Sequence, residues 1–313
     1  MQKNKIKGVK PFNDFFFKSC YYHQLMAGIA CFGIDRDAIL LNTFTSIQEN
    51  FNIGKEYIFE EKKLEKLLGY RSKYCNISKA KLIRCIDNGC PVIMGVDCYY
   101  LPSRPDAYQN RHVPHFILAY GYDLDEQQAN VVDHDYRNSS KYQEKTISLE
   151  DLLLSNIMFR KGVLNRKHSC YILKRKRNIG SFDIWKYIDV EKINHNYEKS
   201  LKNLNTLRKI STCDLTLVQK NVEKIIGYLN DLKIFYYALS KTTFFIYNQE
   251  KLEPLMALVS AYSNVLSLFL KVKEQNKYDY ITKHLDGLLR KLNEIETFEK
   301  VVYDYLVEVK QRR

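Results

Sequence analysis

Residues 91–133 read PVIMGVDCYYLPSRPDAYQNRHVPHFILAYGYDLDEQQANVVD. Within them, 91–96, 115–122 and 128–133 alternate or run continuously apolar and are rich in Val, Ile and Tyr, the signature of β-strands. The second and third runs are separated by a short turn at Leu124-Asp125-Glu126, which predicts antiparallel neighbours. His115 opens the second run and Asp133 ends the third, so antiparallel pairing brings both to the same end of a sheet. A fourth strand is expected at 169–174.

Toward the N-terminus the texture is helical. Residues 20–32, CYYHQLMAGIACF, put Leu25, Ile29 and Phe32 on one helical face. Residues 60–70 and 78–88 are two further short amphipathic helices, the second with Ser78 as N-cap and Gly89 closing it. Helices first and antiparallel strands later predict an α+β domain over residues 1–177. Residues 178–313 are expected to be an all-α helical bundle. Apolar residues recur there at three and four along Leu215–Leu239, Leu252–Phe269 and Tyr278–Tyr305, with one weak turn near Glu299. A weaker helix covers roughly 190–209, and the turns fall at 248–254 and 275–276. Simple core packing explains these stripes better than any cofactor box.

The whole chain has 313 residues, 45% hydrophobic and 27% charged, enough to build cores without disulfides or metals. Its net charge of +13 is uneven: residues 1–177 hold 28 basic against 19 acidic residues, residues 178–313 hold 21 against 17. The excess is spread thinly and no basic arm or nucleic-acid motif occurs, so a nucleic-acid role is not expected; a surface attractive to an acidic partner is the sharper alternative. The first residues lack a secretory pattern, and no apolar run approaches membrane-spanning length. A cytoplasmic protein with reduced cysteines is expected. The 8 cysteines form no C-x-x-C pair, which argues against a structural zinc site.

Thiol chemistry needs a thiolate, a base beside it and a group that fixes the base. Cys20 lies where a helix begins, a position that favours the anion. Ser19 and Lys18 suit the turn into that helix. His115 is the candidate base and Asp133 the orienting acid. His23, His112 and His134 are rival bases, and Asp135 competes with Asp133. The order Cys on an early helix, then His, then Asp on later strands is the papain-type order. A tetrahedral oxyanion also needs donors. The Cys20 backbone N–H is one, and Asn13 is the candidate side-chain donor; Asp14 stands where papain-like enzymes often have Gln.

The stretch 89–135 together with CYYHQLMAGIA at 20–30 resembles the butirosin-type acyltransferases, papain-like enzymes of antibiotic assembly lines. PVIMGVDCYYLP followed by HFILAYGYD and VVD carries the resemblance, which spans roughly residues 10–175. It implies a papain-like fold, a Cys20–His115–Asp133 triad, and transfer of an acyl chain from the phosphopantetheine thioester of an acyl or peptidyl carrier protein to a small amine. No other cofactor and no metal are implied. The amide-forming enzyme of closthioamide-like assembly is a related possibility, with a diamine as acceptor. The competing classes are a cysteine peptidase on the same fold, a noncatalytic binding protein and, more remotely, a zinc enzyme. The oligomeric state is left open, because the bundle stripes suit partners within one chain or between two.

Overall fold

The structure, a computed structural model, describes residues 2–13, 20–34, 45–47, 50–55, 61–134, 141–163, 168–176 and 190–312. It divides into two compact units, Met1–Arg36 with Phe59–Phe182, and Asp37–Ile58 with Asp183–Arg313. The division expected at 177/178 has no such insertion of residues 37–58 into the second unit.

The first unit is mixed α/β, built on a seven-stranded antiparallel sheet. Its strands are β1 (Lys3–Lys5), β4 (Tyr70–Cys75), β5 (Val92–Asp97), β6 (Pro114–Asp123), β7 (Gln128–Asp133), β8 (Gln143–Ser148) and β9 (Cys170–Arg175). The order is β4-β9-β5-β6-β7-β8, with β1 paired to the far end of β6. The four strands read from the sequence are therefore the four central ones. β5 is buried along its whole length, and a strand covered on both faces reads as a continuous apolar run. The flanking strands YRSKYC and QEKTIS keep charged residues, as edges do.

Both faces of the sheet are packed. On one, Val92, Met94, Val96, Ile117 and Ala119 join Leu82 and Ile86 of α3 (Lys79–Asp87) and Leu149 and Leu152 of α4 (Leu149–Met158). Ser78 caps α3 as expected, its side chain accepting the Lys81 N–H. The other expected short helix is α2 (Glu61–Leu68). On the opposite face lies α1 (Cys20–Ala30), which buries His23 through Ile29. Gly28 permits the close approach: a Cβ there would stand 2.6 Å from Leu173 Cδ1 and 3.3 Å from Leu118 Cδ1. Gln24 Nε2 donates to the Phe116 carbonyl at 3.1 Å, which ties α1 to β6 beside His115.

The second unit contains the short hairpin β2 (Thr45–Ile47) and β3 (Ile53–Lys55) and six helices among the described residues. They are α5 (Val190–Cys213), α6 (Leu215–Ser240), α7 (Thr243–Ile246), α8 (Gln249–Gln275), α9 (Asp279–Lys283) and α10 (Leu285–Arg312). The long helices pack α6 on α8, α8 on α10, α10 on α5 and α5 on α6. Asn248 caps α8, so the expected 248–254 turn is shorter than read, and Pro254 sits inside the helix. The stripe read as one helix from Tyr278 breaks at His284, which ends α9. By length and composition α8 is apolar enough to cross a membrane, which amends the sequence expectation. Its Leu255, Leu258, Tyr262, Leu266 and Phe269 are buried in the bundle, the pattern of a core helix. Glu299, the weak turn of the α10 stripe, is fully buried and accepts hydrogen bonds from Tyr236 (2.6 Å) and Tyr262 (2.7 Å) through one oxygen.

Candidate active site

Cys20 is the first residue of α1, and His115 sits near the start of β6, opposite Val96 of β5. Asp133 is the last residue of β7. The tight 124–127 turn pairs Asp123 with Gln128, and a bulge between Ala119 and Gly121 then shifts the register by one to put Leu118 opposite Val132, with the two site residues at one end of the sheet. His115 Nε2 and Asp133 Oδ1 are 2.8 Å apart, and both side chains are buried. With Nε2 engaged by the carboxylate, Nδ1 is the nitrogen left for the hydrogen bond between His115 and the Cys20 thiol. All three residues singled out in the sequence are thus brought together.

Their electrostatics follow from that contact. Burial pushes the Cys20 thiol up. The hydrogen bond and charge of His115, with a backbone hydrogen bond at Phe116, outweigh it and leave the thiol below its ordinary value. Burial opposes a charge on His115, yet the charge and hydrogen bond of Asp133, then those of Cys20, lift the imidazole to about 9. Burial likewise opposes the Asp133 carboxylate. His115, Arg104 and His134 overcome this and hold it low. At five other thiols burial outweighs the opposing contacts: Cys31, Cys98 and Cys170 are pushed up to about 12, and Cys85 and Cys90 are raised too. A thiolate–imidazolium pair at Cys20 is the state this arrangement favours.

The rival bases have other occupations. His112 pairs through Nδ1 with buried Asp97 at 2.6 Å and stacks on Tyr99. His23 Nδ1 lies 3.1 Å from the Phe12 carbonyl, and burial holds the ring down at about 4, so it stays neutral. His134 packs its ring edge-on to His115, 4.5 Å between centroids. Asp135, Asp14, Lys18 and Ser19 lie outside the described residues.

Asn13 reaches the same neighbourhood by a route the sequence did not suggest. Its Nδ2 donates to the Tyr142 carbonyl (2.8 Å) and its Oδ1 accepts the Tyr142 N–H (2.6 Å). Both ends of its amide are thus engaged by the Tyr142 backbone. The Tyr142 ring lies between His23 (4.4 Å, stacked) and His134 (4.9 Å, edge-on). Arg104 is buried, forks onto Asp106 (3.1 and 3.2 Å) and adds positive charge near Asp133. Neither Tyr142 nor Arg104 was found in the sequence, where a tyrosine among 24 and a loop arginine give no signal. Donor atoms of His115, Asp133 and His134 lie within 4.8 Å of one another, a set able to hold a metal; an ion there would compete with Cys20 for the imidazole.

No curated protein matches the chain. Residues 60–134, which contain His115 and Asp133, match the family model described as butirosin biosynthesis protein H, N-terminal, and over this segment the chain is similar to that family.

Proposed function

We propose that the chain is a cysteine-dependent acyltransferase of antibiotic biosynthesis, with a papain-like catalytic domain formed by the unit Met1–Arg36 with Phe59–Phe182 and a helical domain formed by the other. Cys20 is the nucleophile, His115 the base and Asp133 the residue that orients it. The observation that carries this reading is one thiol held low by an imidazole that a buried carboxylate grips, while burial drives five others up. The family match adds a biosynthetic setting, since its name attaches it to butirosin biosynthesis.

The reaction has two halves. The Cys20 thiolate attacks the thioester carbonyl of an acyl group on a carrier protein's phosphopantetheine arm. The pantetheine sulfur leaves with the proton held by His115. Thioester exchange is nearly neutral in energy, so the acyl-enzyme is easy to reach. An amine then attacks the acyl-enzyme carbonyl, His115 takes its proton, and the Cys20 sulfur leaves. Amide formation from a thioester is strongly downhill and drives this half. The buried His115–Asp133 pair limits water at the base, which favours a positioned amine over hydrolysis. The acceptor is a small amine, a diamine in the closthioamide-like variant.

Intact-protein mass spectrometry with acyl-loaded carrier tests the proposal. Wild type should gain the acyl mass and lose it on adding an amine, while Cys20→Ala should gain nothing. Label on Cys20→Ala would sink the assignment of the nucleophile. Fast loss of label without any amine would make the enzyme a hydrolase of the same fold.

A further inference from the structure

We propose that the Tyr142 hydroxyl is the side-chain donor of the oxyanion hole and that Asn13 is a positioning residue acting through Tyr142. The inference rests on Cys20 being the acylated nucleophile. Three observations lead to it. First, Asn13 spends its amide on both backbone groups of Tyr142, a two-way clasp between residues 129 positions apart. Second, the Tyr142 ring is locked between His23 and His134. His23 is one helical turn on from Cys20, and His134 packs on His115, so the phenol is held by neighbours of both reacting groups. Third, Tyr142 is only 3% exposed, and the hydrogen bonds described for it are those of its backbone to Asn13. A phenol fixed in this way keeps its O–H for an oxygen that arrives with substrate.

Supporting this placement, burial and the negative charges of Cys20 and Asp133 all oppose ionisation of the phenol, so its oxygen lies within electrostatic reach of both. A phenol that keeps its proton is what the step requires. As sulfur bonds to the thioester carbon, the C=O π pair moves onto oxygen, and Tyr142 stabilises that anion by hydrogen bonding without transferring its proton. When the C=O re-forms, the pantetheine sulfur departs and His115 supplies its proton. The Cys20 backbone N–H is the natural second donor.

Two reactions of Cys20 separate this role from a structural one. Alkylation by iodoacetamide is a displacement at carbon with no oxyanion, and reports the thiolate and the fold. Acylation by an acetyl thioester of N-acetylcysteamine passes through the oxyanion. Tyr142→Phe keeps the ring and removes the O–H. It is expected to alkylate at the wild-type rate and to acylate about 10²–10³-fold more slowly, the loss that follows removal of one oxyanion donor. Asn13→Ala should lose part of the acylation rate. The double variant should acylate no more slowly than Tyr142→Phe alone, since Asn13 acts only through Tyr142. Tyr142→Phe acylating within about twofold of wild type would overturn the assignment while leaving the Cys20 chemistry intact. Losses that multiply in the double variant would overturn the indirect role of Asn13. A wild type that alkylates but never acylates at Cys20 would remove the nucleophile assignment itself, and this inference with it.

Discussion

Replacing Asp133 with Asn removes one buried negative charge and keeps an amide of similar shape beside His115. The imidazole stands at about 9 against an ordinary 6.5, although burial pulls it the other way. That elevation corresponds to roughly 3 kcal/mol of preference for the charged ring, at about 1.4 kcal/mol per pH unit. Asp133 is the strongest upward influence, so a large part of this preference, on the order of tenfold, goes with its charge. A less charged imidazole stabilises the Cys20 thiolate less, while loss of the Asp133 charge by itself favours the thiolate; His115 is the larger influence on the thiol, so the thiol rises in Asp133→Asn. The assay is the rate of iodoacetamide labelling at Cys20 from about pH 5 to about pH 10, read by peptide mass. Wild type should stay reactive well below the ordinary thiol range. The variant should lose about tenfold on the acid limb and converge with wild type at the alkaline end, where both thiols are ionised. Superimposable profiles, or an acid limb that moves down in the variant, would refute the coupling of Cys20, His115 and Asp133 described above.

Other expectations follow from the same geometry. Burial raises Glu299, so the folded state binds a proton that the unfolded state releases near 4.5, and the native chain loses stability as pH rises from there through the folded value. Glu299→Gln keeps an acceptor for Tyr236 and Tyr262 and abolishes that slope; equal pH dependence of melting in both proteins would contradict it. Gly95→Ala should cost about 1–3 kcal/mol in chemical unfolding, because the added Cβ overlaps the Phe159 ring, a rigid neighbour; an unchanged midpoint would mean that the ring shifts freely. The excess positive charge of residues 1–177 should make acylation by a carrier-bound thioester fall with added salt while acylation by a small neutral thioester stays level. Equal salt responses would remove electrostatics from carrier docking.

The sequence was most informative where burial is two-sided and least where it is one-sided or polar. Strands β5, β6, β7 and β9 announce themselves because both faces of each are covered. The outer strands β4 and β8 pass for loops because solvent accepts Arg71, Lys73, Glu144 and Lys145 there. The bundle stripes were equally plain, and their one irregularity has a long-range cause: Glu299 is tolerated in the core because tyrosines on α6 and α8 donate to it. Breaks that depend on local backbone choices, such as His284 between α9 and α10, leave no mark on the apolar period.

Chain order and short-range pairing alone determined that Cys20 heads a helix and that His115 and Asp133 lie at the same end of two strands joined by one tight turn, because so short a turn forces antiparallel neighbours; the bulge between Ala119 and Gly121, which shifts that register by one residue, left no mark in the sequence. Only the tertiary structure decided that the thiol lies against the imidazole, since that depends on how closely α1 settles on the sheet over Gly28. It also decided that Asn13 clasps Tyr142, a partner 129 residues away. Contacts at such separations are set by the packing of whole elements, and no local spacing encodes them.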